Sequence, residues 1–358
     1  SSNPRPTRIE NQTPQPNDSL ELILVTSSGT VVRRQVGGAT RSQVLEKAQQ
    51  LRNDVTNWRR TDYRGSTKQF YQWLVAPLEK ELQAQEINNI SFIMDAGLRS
   101  IPVAALNDGN QFLIERYSVG LIPSFSLTDT RYQDLRNDQV LAMGAAKFID
   151  QKSLPAVPVE LGAITDQLWS GKEFLNERFT LENLKQARSS QPFGIIHLAT
   201  HAEFRPGKPS NSYIQFWNSK LGLDELPQLK LNEPSLELLV LSACRTALGD
   251  EEAELGFAGL AVMAGSKSAL GSLWYVNDEA TLGLMTAFYH YLKAAPVKTE
   301  ALRQAQLAML KGDVRIEDGH LIVANERIPL PPELAHLGNR QLTHPYYWSA
   351  FTLIGSPW

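Results

Sequence analysis

Short runs of consecutive apolar residues alternate along this chain with stretches in which apolar residues recur every three or four positions. The runs are Ile90–Asp95 (ISFIMD), 116–122 (RYSVGLI), 139–145 (QVLAMGA), 194–200 (GIIHLAT), Leu236–Cys244 (LELLVLSAC), Ser268–Trp274 and Trp348–Gly355. Runs of this length read as buried strands. Helical spacing appears at about 41–60, where Val44, Ala48, Leu51 and Val55 share a face, and again near 68–86, with Pro77 as a break. Further helices are predicted near 158–170, 181–190, 255–265, 279–294 and 298–311. Strands alternating with helices predict an α/β fold with a mostly parallel sheet covered on both faces. In such sheets chemistry collects at the carboxyl ends of strands. A hairpin is predicted ahead of this pattern, from Leu20–Thr26 and Val31–Val36 around SSGT, and a hairpin-like stretch at SYIQFWNSKLGL.

Residues 1–18 are rich in Pro, Asn and Ser and almost free of apolar side chains, so they read as a flexible leader or linker. The pattern therefore divides the chain into a leader (1–18), an N-terminal subdomain (19–88) and a main domain (89–358). Two arrangements are open for 19–88: a packed subdomain of its own, or an extension of the main sheet. The absence of an initiator Met predicts a piece of a longer protein.

Composition narrows the function classes. The chain has 358 residues, 42% hydrophobic and 20% charged, enough for a sizeable core. Lys and Arg number 35 against 38 Asp and Glu, and no basic run is interleaved with aromatics, so no nucleic-acid partner is expected. No apolar run is long enough to span a membrane, and there is no signal-peptide pattern, so a cytoplasmic location is expected. The single cysteine, Cys244, excludes an internal disulfide and a cysteine-only metal cage. No phosphate-binding glycine loop and no G-x-S-x-G is present, so no cofactor is expected.

Two histidines lie four residues apart in GIIHLATHAEF. A metal helix of the H-E-x-x-H type needs a glutamate between them, but Leu-Ala-Thr stands there, and no metal is expected. As a strand, Ile195, His197 and Ala199 share one face, which makes His197 a buried structural histidine. His201 follows the last strand residue and lies at a carboxyl end. Cys244 closes LELLVLSAC in the same way, where the apolar run meets a polar, acidic loop. A thiol needs a base to become an attacking thiolate. A histidine and a cysteine on two neighbouring strand ends supply both halves of such a dyad, and the chain between them is long enough for a return crossover.

Four stretches in order, HLATHAEF, LVLSACRTALGD, ELGFAGLAVMAGSKSALGSLWYVNDEAT and HPYYWSAFTLIGSP, resemble the CHAT domain. That family is a group of caspase-like cysteine peptidases related to separase and often fused to tetratricopeptide repeats. The resemblance runs from about Leu20 to the end of the chain. It implies a caspase-like α/β/α sandwich with an N-terminal hairpin and helices, and makes 89–358 the peptidase domain. It also implies that His201 activates Cys244, the nucleophile, with the backbone N–H groups of Ala202 and Cys244 as the oxyanion hole. Ala202 stands where the family more usually has glycine. An aspartate in a similar segment of separase accepts a P1 arginine, and Asp278 of Trp274-Tyr-Val-Asn-Asp278 matches it. Asp278 also reads as a helix N-cap. Asp95, at the end of the first buried run, is a second candidate for the same pocket and equally a turn residue.

The function these residues imply is an endopeptidase that cleaves protein or peptide substrates after Arg or Lys. A regulatory partner or a repeat region would control it. The loop Arg245–Glu254 is a candidate for processing or movement on activation. Two other readings stand beside it: a silent caspase-like scaffold for protein interaction, and acyl transfer on a non-peptide ester.

Overall fold

A computed structural model describes residues 13–125, 128–129, 131–203, 205, 208–242, 256–324 and 326–358. Cys244 and the Arg245–Glu254 loop lie outside the described residues.

The chain opens with the hairpin β1 (Ser19–Val25) and β2 (Val31–Thr40), followed by α1 (Arg41–Thr56), α2 (Tyr63–Leu74) and α3 (Glu79–Ala84). Thr40 and Gln43 cap α1 reciprocally, and a single 3-10 turn containing Pro77 separates α2 from α3, as the proline predicts. The hairpin is a two-stranded sheet by itself, so it does not extend the main sheet. Its helices bury Val44, Leu51, Phe70 and Leu74 in the same core as the main domain.

Next come β3 (Asn89–Phe92), β4 (Ser118–Leu121), β5 (Val140–Gly144), α4 (Val157–Gly162), β6 (Gly171–Leu175) and α5 (Leu181–Ser190). They are followed by β7 (Ile195–Ala199), β8 (Ala202–Glu203), β9 (Tyr213–Gln215), β10 (Lys220–Gly222), β11 (Leu238–Leu241) and α6 (Gly256–Met263). β12 (Ser268–Ser272), α7 (Asp278–Leu292) and α8 (Lys298–Lys311) complete the main helices. A small antiparallel sheet then forms from β13 (Arg315–Glu317), β14 (His320–Val323), β15 (Glu326–Pro329) and β16 (Arg340–Gln341), and β17 (Phe351–Gly355) returns to the main sheet.

The eight-stranded main sheet has the order β3-β4-β17-β12-β11-β7-β5-β6. Every neighbouring pair is parallel except β12 with β17. Successive side chains leave a strand on opposite faces, and the two cores divide accordingly. Val140, Ala142, Ile195, Ala199 and Val240 enter the core beneath α4, α7 and α8. Leu141, Met143, Ile196, Leu198 and Leu239 enter the core beneath α5 and α6. The result is an α/β/α sandwich with a mostly parallel sheet.

One strand departs from the expected burial. The Ile90 run was expected inside the sheet, but β3 is an edge strand and each of its residues is only partly buried. The single antiparallel step at β17 also reverses everything beyond it. β3 and β4 run opposite to β5, β7, β11 and β12, so their carboxyl ends lie on the other edge of the sheet.

Candidate active site

The carboxyl ends of β5, β7, β11 and β12 share one edge, and β7 sits between β5 and β11. His201 emerges two residues after β7. Its Nε2 lies 2.6 Å from the backbone carbonyl of Lys152. A carbonyl can only accept, so Nε2 carries the hydrogen and the Nδ1 of the neutral ring keeps its lone pair. No described residue bonds Nδ1. Burial pushes the imidazole below its ordinary value of 6.5, opposed by the Lys152 carbonyl bond and helped by the Lys152 charge. The ring is therefore set to act as a proton acceptor near neutral pH.

The segment after β5 holds this ring. Leu154 N–H bonds the Ala146 carbonyl at 2.8 Å, which closes a compact loop carrying Phe148, Ile149 and Lys152. Phe148 meets the His201 ring edge-on at 4.7 Å between centroids. Ile149 beside it in the sequence is 98% exposed. Phe148→Ala is expected to lower kcat/KM about tenfold by freeing the ring, a loss of roughly 1.4 kcal/mol in transition-state stabilisation. Steady-state kinetics with a thermal melt beside them would separate this from unfolding.

Ala202 begins β8, opposite Ile214 of β9. Gln215 N–H donates to the His201 carbonyl at 2.9 Å. That bond makes Ala202 and Ile214 a non-hydrogen-bonded pair, whose backbone groups point away from each other. The Ala202 N–H is thus turned outward from β9, beside His201.

Asp278 is the first residue of α7, and the N-cap is Asn277, which makes no side-chain capping bond. The Asp278 carboxylate instead accepts the Ala156 N–H at 2.7 Å, on the chain leading into α4. Its other oxygen has no partner among the described residues. Burial pushes its pKa up to about 7; the Ala156 bond works against this, and the Glu160 and Glu279 charges add to it. Asp278 and His201 are each held by the same β5–α4 connection, through Ala156 and Lys152.

Asp95 is not brought to this site. It follows β3, is exposed, and makes a turn in which its carbonyl accepts from Leu98 N–H. β3 lies four strands from β11, roughly 19 Å at about 4.8 Å per strand, and its carboxyl end is on the opposite edge. The pocket role expected for Asp95 is therefore corrected to a turn.

His197 is fully buried in β7, as its place inside the strand predicts. Its Nε2 lies 2.8 Å from Glu160 Oε1 and its Nδ1 3.2 Å from the Tyr289 hydroxyl. Glu160 and Tyr289 are buried as well. Leaving one partner of such a buried hydrogen bond unsatisfied costs about 1–3 kcal/mol. Sequence reading missed these partners, and it missed Phe148 and Lys152. Lys152 acts through its carbonyl, which leaves no signal in residue type.

Among the described residues no group of His, Cys, Asp and Glu could hold a metal ion, and no helix is long and apolar enough to cross a membrane. No curated protein matches the chain. Solved structures similar to it include the Porphyromonas gingivalis RgpB pro- and mature-domain complex, at 10% identity and a TM-score of 0.48 over 88% of this chain and 76% of the other. The Arg-specific cysteine proteinase gingipain R (RgpB) aligns at 12% identity and a TM-score of 0.47, over 88% and 74%. The Saccharomyces cerevisiae separase–securin complex also aligns at 12% and 0.47, over 80% of this chain but only 18% of the other. The family model of the CHAT domain matches residues 64–356, so the chain belongs to the CHAT domain family.

Proposed function

We propose that this chain is a cysteine endopeptidase that cleaves peptides after Arg or Lys, with His201 and Cys244 as its dyad. The observation that carries this reading is the seating of His201. Its Nε2–H is committed to the Lys152 carbonyl, so Nδ1 is the nitrogen left to take a proton. Strand register adds support. Leu241 of β11 pairs with Leu198 of β7, and Cys244 and His201 each follow three positions later in the sequence.

In this mechanism Nδ1 takes the thiol proton and Sγ attacks the scissile carbonyl carbon. The N–H groups of Ala202 and Cys244 hold the oxyanion as it forms. The protonated His201 then gives its proton to the leaving amine as the C–N bond breaks, leaving a thioester. Water, deprotonated by His201, hydrolyses the thioester and restores the thiol. Asp278, with one oxygen uncommitted, pairs with the P1 cation. Regulation by a protein partner or an adjoining repeat region belongs to the same proposal.

A P1-positional peptide library, with Cys244→Ala beside the parent chain, tests the reading. Cleavage after Arg and Lys that vanishes in the variant is expected. No cleavage, together with no labelling of Cys244 by a peptidyl electrophile, would leave the scaffold reading instead.

A further inference from the structure

Asp278 is the first residue of α7, and its carboxylate is tied to Ala156 at the start of α4. These are the two helices that the His197 ring grips. One ring nitrogen meets Glu160 of α4 and the other meets Tyr289 of α7. The ring itself stands on β7, four residues before His201. We propose that His197 is a positioning residue that fixes Asp278 relative to His201, by fastening both helices that hold the carboxylate to the strand that presents the catalytic base. It rests on the reading of Asp278 as the P1 partner.

Three features favour this over a role in stability alone. The two contacts use both ring nitrogens, so the imidazole is committed to this pair of helices. All three side chains are buried, so water does not replace a lost bond. The network is also local to the site: Glu160 is close enough for its charge to act on Asp278.

The test is the selectivity of the full chain for a P1-Arg peptide over its P1-citrulline counterpart, which has nearly the same shape without the charge. Tyr289→Phe removes the α7 tie and Glu160→Leu the α4 tie, while Glu160→Gln keeps an acceptor for Nε2–H. Tyr289→Phe and Glu160→Leu are each expected to lower the selectivity about threefold to tenfold, through KM for the P1-Arg peptide. Turnover of P1-citrulline should stay within about twofold, and Glu160→Gln should retain most of the selectivity. Trp169→Phe serves as the control. It removes the bond from Trp169 Nε1 to the Tyr289 backbone carbonyl and does not touch the imidazole.

Tyr289→Phe loses one hydroxyl and decides the matter if Glu160→Leu does not fold, with thermal melts confirming folded protein. Unchanged selectivity in folded Tyr289→Phe overturns the proposal, as does an equal loss in Trp169→Phe. If the parent chain prefers P1-Arg and Asp278→Asn abolishes that preference, failure of the network variants falls on this inference alone. A parent chain without the preference removes the reading of Asp278 and this proposal with it.

Discussion

Exchanging His201 for alanine is expected to lower kcat/KM on the best basic-P1 peptide by about 10³-fold, and exchanging Cys244 for alanine to remove turnover. General-base assistance is worth about 10²–10⁴-fold, and the seating of His201 argues against the lower end of that range. The ring is oriented by the Lys152 carbonyl on one side and by Phe148 on its edge, so little freedom is left to freeze in the transition state. Burial holds the imidazole below 6.5, so the ring is neutral and basic at pH 7.5. Without it the thiol depends on its own ionisation, and its rate should follow that of an ordinary thiol as pH rises. Rates of Cys244 alkylation by an arginyl chloromethyl ketone, measured from pH 5 to 9 in both proteins, would check this. If His201→Ala kept the parent rate at pH 7 within about threefold, His201 would not be the base.

The sequence shows strand and helix positions better than strand direction. Helices α5 and α8 fall on the expected residues, because each carries an unbroken helical spacing between polar boundaries. The face shared by Ile195, His197 and Ala199 follows from alternation alone. β6 was missed because GKEFL lies near the edge of the sheet and lacks an apolar run. The strands β13 to β16 are two to four residues long, too short for a period to show. Asp95 was misplaced for a different reason. Its run reads as a strand end, but whether that end faces the site depends on the antiparallel β17, more than 250 residues further along the chain. His201 could be singled out as a candidate from its residue type and its place just after the β7 run. The contacts that hold the two histidines were not legible: the Lys152 carbonyl, Glu160 and Tyr289 have no local pattern linking them to their histidines.

Asp278→Asn is expected to cut kcat/KM for P1-Arg peptides on the order of 10²-fold, while leaving P1-citrulline peptides within about threefold. Asparagine keeps an acceptor for the Ala156 N–H, so the loss is one of charge more than of shape. The pH dependence follows from a pKa pushed up to about 7 by burial. Below that value the carboxyl is protonated and the P1 cation meets a neutral group. Above it the carboxylate is present. The ratio of P1-Arg to P1-citrulline kcat/KM should therefore rise about tenfold between pH 6 and 8, with the dyad's own titration cancelling in the ratio. Stability should move the other way. A carboxyl at 3.8 in the unfolded chain and about 7 in the folded one binds more protons when folded. Folding stability is then lost as pH rises through that window. Asparagine escapes this, so the variant should be more stable than the parent above pH 7, by on the order of 2 kcal/mol once residual solvent screening is allowed for, and the gain should fade towards pH 4. Thermal melts of the two proteins from pH 4 to 8 measure it. A variant that lost selectivity without gaining stability would show that the carboxylate is already paired in the free protein and is not held in reserve for a substrate.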